Sequence, residues 1–538
     1  MVRVAFYTLG CKLNQAETES LAGQFRGAGY QLVTPDNVAD IYIANTCTVT
    51  HVADRKSRHW LRAAKRRNPE ALVIATGCYA QRTPQELAQI ADLVIGNEEK
   101  EHLLETLNGL SLPTSPSVTA SPLLRHCEPF ASCHSEGLAE ALSRSSERSE
   151  ETAKGQRPKN LTQDRLREAI LPLKSITRVR SLIKIQDGCR SPCAYCIVPR
   201  VRAYEYSLPA SQIIDEVKLK VALGYREVVL TGTKIGCYKD AVLSDSEGSS
   251  IDLRGLIDRI LHDTDIERLR LSSLQPQEIS AEFLSLWQDG ILSRSPESFA
   301  SCHSEGLAEA LSRSSERSEE TAKGRRPKNL TQGKLPEGEE SYIVQDRLRE
   351  GTRLCRHLHL ALQSGSDTVL QRMRRCYSLD DYQQAVNLIK ETIPGVAITT
   401  DLMVGFPGES DEEFEQSYHF CQQAGFANIH VFPFSPRPGT LAARMREQID
   451  ERVKKECKQR MLELAQKCRH SFCEQFIGQV MPVLWEKETS FDSGIYSGLT
   501  DNYIRVFTQN YKPLTNKIAP VKLVRFHNQG MWGELVEN

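Results

Sequence analysis

From residue 1 to residue 108, and again from residue 181 to residue 434, apolar runs of strand length alternate with segments of helical period. Such alternation leaves essentially one class of fold, α/β with parallel strands, because each helix carries the chain back before the next strand can pair. The first stretch predicts strands over Val2–Leu9, Asp40–Asn45, Ala71–Thr76 and Asp92–Ile95, and so a small parallel α/β domain over residues 1–108. The second predicts strands over Leu182–Gln186, Glu227–Thr231, Arg268–Ser273, His357–Gln363, Ala397–Val404 and Asn428–Phe434. Between them fall helical patterns over Ser211–Leu223, Leu253–His262, Ala281–Asp289, Asp380–Thr392 and Asp411–Ala424. Six βα units in series imply a partial (β/α)6 barrel of TIM type over residues 176–450. Residues 451–477 read as one connecting helix, and short strands such as Tyr503–Thr508 and Ala519–Phe526 imply a small β-barrel over residues 478–538.

Two segments interrupt this order. Phe130–Gln163 and Phe299–Gln332 are the same sequence, offset by 169 residues, except that Gln156 becomes Arg325. Nothing around them repeats, so a solenoid is excluded. Both are rich in Ser, Glu, Arg and Lys and bury too little to offset their ordering entropy. They read as inserts without a fold, one in a linker over residues 109–175 and one inside the barrel at about 294–350. Cys127, Cys133 and Cys302 lie in or beside them and are expected to ligate nothing. The second insert joins a helix to the next strand, which places it at the barrel face opposite the active site. Long surface insertions there cost little closure entropy, roughly 0.6 kcal/mol per doubling of length.

Composition narrows the function. With a formal net charge of -1 at pH 7, any nucleic-acid site is a local patch. No apolar run is long enough to span a bilayer, and MVRVAFYTLGCK lacks the layout of a signal peptide, so a cytoplasmic chain without membrane contact is expected. Sixteen cysteines then argue for metal or redox chemistry over disulfides.

Cys189, Cys193 and Cys196, spaced C-x3-C-x2-C, directly follow the first barrel strand. Three thiolates so close can hold three irons of a four-iron cluster and leave the fourth open. Zinc is the other reading, but a structural zinc wants four protein ligands and no fourth Cys or His lies nearby. Cys11, Cys47 and Cys78 are separated by 36 and 31 residues, a spacing that by itself says nothing of metal. Each, however, falls just past a predicted strand. In a parallel sheet those ends share one edge, where ligands gather. The three should therefore converge, with Gly10 and Gly77 turning the backbone beside a bulky cluster. Three buried apolar cysteines are the alternative, and strand ends are a poor place for them.

The loop Asp187–Cys196, with Tyr195 before its last cysteine, resembles that of the radical S-adenosylmethionine superfamily. That resemblance implies S-adenosylmethionine chelated at the open iron and cleaved to a 5′-deoxyadenosyl radical. Five further strings extend it over the whole chain except the inserts: TLGCKLNQAETE (Thr8–Glu19), NTCTVT (Asn45–Thr50), TGCYAQ (Thr76–Gln81), LQSGS (Leu362–Ser366) and GFPGE (Gly405–Glu409). Together they resemble the methylthiotransferases. The resemblance implies two 4Fe–4S clusters, one on Cys189, Cys193 and Cys196 for radical generation and one on Cys11, Cys47 and Cys78 for sulfur delivery. It places contacts to S-adenosylmethionine at Thr231, Gly232, Ser273, Gln275, Gln363 and Gly405. It also implies a C-terminal TRAM domain that binds tRNA, an electron donor of flavodoxin or ferredoxin type, and a sulfur donor.

Lys12-Leu13-Asn14-Gln15 is similar to the branch acting on N6-threonylcarbamoyladenosine beside the anticodon, at the adenine C2. The isopentenyladenosine branch, the alternative, typically carries Gln-Met-Asn there. Two positions depart from the family: Gln275 stands where Glu is usual, losing a charge, and Ala361 where Pro is usual. For the tRNA anticodon stem-loop, the basic run Arg55, Lys56, Arg58, Arg62, Lys65, Arg66 and Arg67 offers phosphate contacts, with 55, 58, 62 and 66 on one helix face. Tyr503 and Arg505 offer contacts from a strand of the small barrel. A chain that only binds tRNA, its catalysis lost to the inserts, is the reading from another functional class.

Overall fold

The apolar residues of the N-terminal stretch set its sheet. All six residues of the strand Ile41–Thr46 are buried, the pattern of a strand covered on both faces. Around it the order is Gln31–Val33, Arg3–Thr8, Ile41–Thr46, Leu72–Gly77, Leu93–Val94, all parallel. The computed structural model describes residues 1–109, 179–244, 250–288, 353–490 and 493–536. Chain contacts divide the protein into two compact units, Met1–Glu101 with Ile176–Asn538, and His102–Ser175. Of the second unit the described part is His102 and the helix Leu103–Gly109.

The helix His51–Arg67 starts where Thr50 accepts from the Ala53 N–H at 3.2 Å, a side-chain N-cap. It lays Trp60, Leu61 and Ala64 on the sheet, with the Trp60 ring stacked on Tyr7 at 4.5 Å. The helix Lys12–Gly27 instead puts Ala16 against Leu182 and Val229 of the central strands, joining the two regions.

The central strands are Arg180–Asp187, Glu227–Gly232, Arg268–Leu271, Ser273–Leu274, His357–Leu360, Ala397–Val404 and Asn428–Pro433. They pair in parallel in chain order as two sheets. The predicted strand Arg268–Ser273 is broken at Ser272, and that break separates the sheets. Hydrogen bonds from Leu269 N to Arg353 O and from Cys355 N to Leu269 O, both 2.8 Å, tie the next strand's approach to the first sheet. Ile183, Ile185, Val228 and Leu230 pack under Ile213, Val217, Leu256 and Ile260 of the helices Ala210–Ala222 and Leu253–Asp263. Around the second insert, Trp287 Nε1 donates to Cys355 O at 3.2 Å, so the chain leaves and re-enters at one place. Both duplicated segments, and Cys127, Cys133 and Cys302, lie outside the described residues.

The helix Glu451–Glu474 packs on the last central strand and leads into a closed five-stranded barrel filled by Trp485, Val506, Leu523 and Met531. Arginines of the central strands hold this barrel. Arg268 donates to Leu499 O (3.0 Å) and Pro482 O (2.7 Å), and Arg270 to Asp501 O (3.0 Å) while paired with buried Glu227 at 2.7 Å. Among the described residues no helix is long and apolar enough to cross a membrane.

Candidate metal and cofactor site

The strand Arg180–Asp187 ends at Gly188, which takes φ +78°; a Cβ there would run into the Tyr204 carbonyl, so only glycine makes this turn. The loop that follows is pinned from outside. Ala194 N donates to Met373 O at 2.9 Å and Ala194 O accepts from Ala442 N at 2.8 Å. Cys196 N donates to Cys193 O at 3.1 Å, closing the last turn. Arg375 places Nη1 3.4 Å from Cys193 Sγ. Burial pushes the Cys196 thiol up to about 12, with Cys193 and Cys189 close enough to raise it further.

Cys11, Cys47 and Cys78 follow three adjacent strands whose ends are in register, Thr8 opposite Asn45 and Thr46 opposite Gly77. A Cβ on Gly10 would lie 2.9 Å from Cys47 Sγ. At Gly77, φ +94°, a Cβ would fall 2.7 Å from Thr46 N. Side-chain amides lock the strand ends: Asn14 Nδ2 donates to Leu9 O (2.9 Å) and Thr46 O (3.1 Å), and Asn45 Nδ2 to Asn14 O (2.9 Å). Burial pushes the Cys47 thiol up to about 12, and Cys78 and Cys11 are among the charges that raise it. All six cysteines are free thiols. Among the described residues no three His, Cys, Asp or Glu side chains are arranged to hold a single metal ion. The donor chemistry of both sets, three thiols and no carboxylate or imidazole, fits a polynuclear iron–sulfur group instead.

Sequence reasoning missed three arginines here, Arg202 and Arg437 buried and Arg375 half-buried. Arg202, just past the cysteine loop, has Nε 3.4 Å from Cys78 Sγ. Arg437, 1% exposed, reaches Thr48 Oγ1 at 2.9 Å and Asp54 Oδ2 at 2.5 Å, beside the Cys47 loop. Arg375 is the third. The only signal in the sequence was their position next to cysteine loops or in the stretch after the last central strand.

The six positions named for S-adenosylmethionine all stand at or beyond the carboxyl ends of central strands, the edge that carries the cysteine loop. Thr231 is buried, and a Cβ on Gly232 would lie 2.7 Å from Gln186 O. Ser273 is exposed, and Gln275 Oε1 accepts from Gln277 Nε2 at 3.3 Å. Gln363 has φ +70° and is buried with Oε1 unpartnered, an acceptor open to a donor on a bound molecule. Gly405, φ +70°, meets Lys454 of the long helix where a side chain would stand, so its smallness serves helix packing.

The basic helix splits in two. Arg58, Lys65 and Arg67 pair with Glu86, Asp92 and Asp36, which removes Arg58 from the expected phosphate face. Arg55, Lys56, Arg62 and Arg66 are exposed and make no salt bridge among the described residues. Tyr503 is not on a strand: it sits in a turn at φ +68°, stacked on His357 at 4.2 Å. Arg505 is paired with Glu486. Both expected RNA contacts of the small barrel are thus engaged internally, because the barrel docks through that end.

Residues 3–96 match the model of Uncharacterized protein family UPF0004, and residues 331–421 that of the Radical SAM superfamily. Among curated proteins, the chain is 30% identical to threonylcarbamoyladenosine tRNA methylthiotransferase MtaB of Bacillus subtilis, over 100% of this chain and 98% of that one. It is 27% identical to tRNA-2-methylthio-N(6)-dimethylallyladenosine synthase of Syntrophotalea carbinolica, over 99% and 100%. Among solved structures it is similar to the radical S-adenosylmethionine methyltransferase TsrM of Kitasatospora setae, at 13% identity and a TM-score of 0.44, covering 82% of this chain and 74% of that one. Identity of 30% along the full length of the first relative, with both family models matched, settles membership: the chain belongs to the radical S-adenosylmethionine tRNA methylthiotransferases of the MtaB branch, enzymes that work with S-adenosylmethionine and iron–sulfur clusters.

Proposed function

We propose that the chain methylthiolates C2 of the adenine in N6-threonylcarbamoyladenosine beside the anticodon of tRNA. In this reading it uses two S-adenosylmethionine molecules, one as methyl donor and one as radical source. Cys189, Cys193 and Cys196 hold one 4Fe–4S cluster, and Cys11, Cys47 and Cys78 a second. The observation that carries it is the meeting of two three-cysteine sets across one residue: the Arg202 side chain bonds to Cys78 Sγ while its backbone carbonyl accepts from Cys189 N, each at 3.4 Å. Bound there, the clusters and S-adenosylmethionine supply the one-electron chemistry that replacing a ring hydrogen by sulfur demands.

The chain's own residues supply the rest. Thiols raised by burial stay protonated without metal, so iron uptake displaces their protons. Gln363 Oε1 offers a buried acceptor to S-adenosylmethionine. The two central sheets act as arcs of one partial (β/α)6 barrel, and the C-terminal barrel as a TRAM domain. Arg55, Lys56, Arg62 and Arg66 supply phosphate contacts to the anticodon stem-loop. An external reductant and a sulfur donor complete the reaction.

Lys12 supports the threonylcarbamoyl branch. It stands one residue past Cys11 and makes no salt bridge among the described residues. Burial lowers its ammonium below the usual lysine range, aided by Arg270 and Arg180 and opposed by Tyr503 and Asp401. The threonylcarbamoyl group ends in a carboxylate that such a cation favours, whereas dimethylallyl is apolar. Nucleoside mass spectrometry of tRNA from a deletion strain tests this: loss of the methylthio threonylcarbamoyl nucleoside supports it. Loss of the methylthio isopentenyl form instead moves the chain to the other branch. A chain that binds tRNA yet takes up no iron on anaerobic reconstitution is the tRNA-binding protein without catalysis.

A further inference from the structure

Arg202 is 6% exposed and sits at the end of the helix Val198–Val201, six residues past the last cysteine of the loop. Its guanidinium makes five hydrogen bonds, one for each N–H it owns. Nε reaches Cys78 Sγ at 3.4 Å; Nη1 reaches Glu17 Oε1 at 2.8 Å and Asp187 Oδ2 at 2.6 Å; Nη2 reaches Asn14 Oδ1 and Glu17 Oε2, both at 3.0 Å. The partners come from both regions. Glu17, Asn14 and Cys78 belong to the N-terminal sheet and its first helix. Asp187, whose Oδ1 accepts from Gly188 N at 2.7 Å, opens the loop of Cys189.

Buried Lys100 bonds to the same Glu17 at 2.5 Å and to Asn97 Oδ1 at 3.0 Å; Asn97 Nδ2 in turn reaches Val201 O at 2.8 Å and Cys78 Sγ at 3.7 Å. Lys184 Nζ also stands 4.0 Å from Asp187 Oδ2, so three cations face two carboxylates, Glu17 and Asp187, and the fifth bond of Arg202 is left for sulfur. A neutral thiol gives little reason to spend a buried guanidinium bond on it. A metal-bound thiolate does, because charge-assisted donors are roughly twice as strong as neutral ones.

We propose that Arg202 is a positioning residue that couples the two cysteine sets, holding Cys78 against the loop of Cys189 and tuning the N-terminal cluster by N–H donation to its sulfur. Donors aimed at cluster sulfurs stabilise the more negative, reduced state and raise the reduction potential. Because Nε faces Cys78 and Nη1 faces Asp187, the side chain acts directly on the N-terminal set. It acts on the barrel set only through one carboxylate. The N-terminal cluster therefore has its potential set by a residue of the other region.

This inference rests on the cluster reading above, and the experiment separates the two. The full chain carrying Cys189→Ala, Cys193→Ala and Cys196→Ala retains only the N-terminal site; after anaerobic reconstitution its iron is counted and its reduction followed by EPR against potential. Four irons bound is the expected content, and none would overturn the cluster assignment itself. With iron present, Arg202→Gln should shift the midpoint to lower potential and Arg202→Lys, which keeps the charge and loses the fork, by less. In the converse chain, with Cys11→Ala, Cys47→Ala and Cys78→Ala, Arg202→Gln should move the remaining midpoint less. An unchanged midpoint in the first background, or a larger shift in the second, overturns the proposal. So does loss of iron from both Arg202 variants with a fall in Tm of the metal-free chain, since that is misfolding and not positioning.

Discussion

Cys189, Cys193 and Cys196 come from eight consecutive residues, whereas Cys11, Cys47 and Cys78 follow the ends of three different strands. In the first set the geometry belongs to one turn, released by Gly188 and clamped by backbone bonds from Met373 and Ala442. In the second it belongs to sheet register, locked by Asn14 and Asn45. The difference teaches where each set is vulnerable: the compact one to its turn, the dispersed one to anything that shifts a strand end or its docking partner.

The largest effects should come from the glycines that separate the two cases. Gly188→Ala forces a side chain into the Tyr204 carbonyl and should empty the compact set, leaving about four of about eight irons in place. Gly77→Ala should do the reverse, because its Cβ falls on the Thr46 backbone. Iron analysis of both proteins checks this: about four irons in each are expected, and clearly fewer than four in either would mean that the sets are not independent. A smaller effect is expected at Arg437, which docks on Thr48 and shares Asp54 with Arg82. Arg437→Met should cost about 3 kcal/mol in urea unfolding, because a buried ion pair loses a partner, and should loosen iron in the dispersed set alone.

The loop Gly405–Glu409 belongs to neither set and gives a test without iron. Burial raises the Glu409 carboxyl to about 7 despite backbone N–H bonds from Gly405 and Phe406. A folded pKa above the unfolded value means that the folded chain binds the extra proton, so stability falls as pH rises from about 4.5 to about 7. Glu409→Gln should flatten that fall by about 2 kcal/mol, seen as Tm against pH, with iron content unchanged. Smallest of all, Gly224→Ala, at φ +86° with open space around it, should cost about 1 kcal/mol and spare both sets.

Much of this frame was legible from residue patterns. Ala397–Val404 and Asp411–Ala424 lie at the bounds expected, because long periodic segments carry their own signal. The dispersed cysteines were found by strand placement where spacing was silent. Short or bent pieces escaped: the three-residue edge strand Gln31–Val33 is only partly buried, and the break at Ser272 falls between Leu269, bridged to Leu354, and Ser273, paired with His359, a tertiary arrangement. The buried arginines Arg202 and Arg437 escaped for the same reason, since an isolated Arg reads as a solvated charge until its partners are brought to it from 15 to 389 positions away. Tyr503 misled because its aromatic character fits a strand, while the turn it makes is imposed by docking on His357.

Two variants of the full chain separate the duties of the two sets, radical generation and sulfur delivery. Cys193→Ala removes a thiolate from the compact set and Cys47→Ala one from the dispersed set. Each protein, anaerobically reconstituted and reduced with S-adenosylmethionine and substrate tRNA, is assayed chromatographically for 5′-deoxyadenosine and methylthio nucleoside. Cys193→Ala should form neither, and Cys47→Ala should form 5′-deoxyadenosine without methylthio product, since loss of a ligand acts on its own cluster while the other region is spared. Loss of 5′-deoxyadenosine in Cys47→Ala, with iron retained at Cys189, Cys193 and Cys196, would contradict this separation.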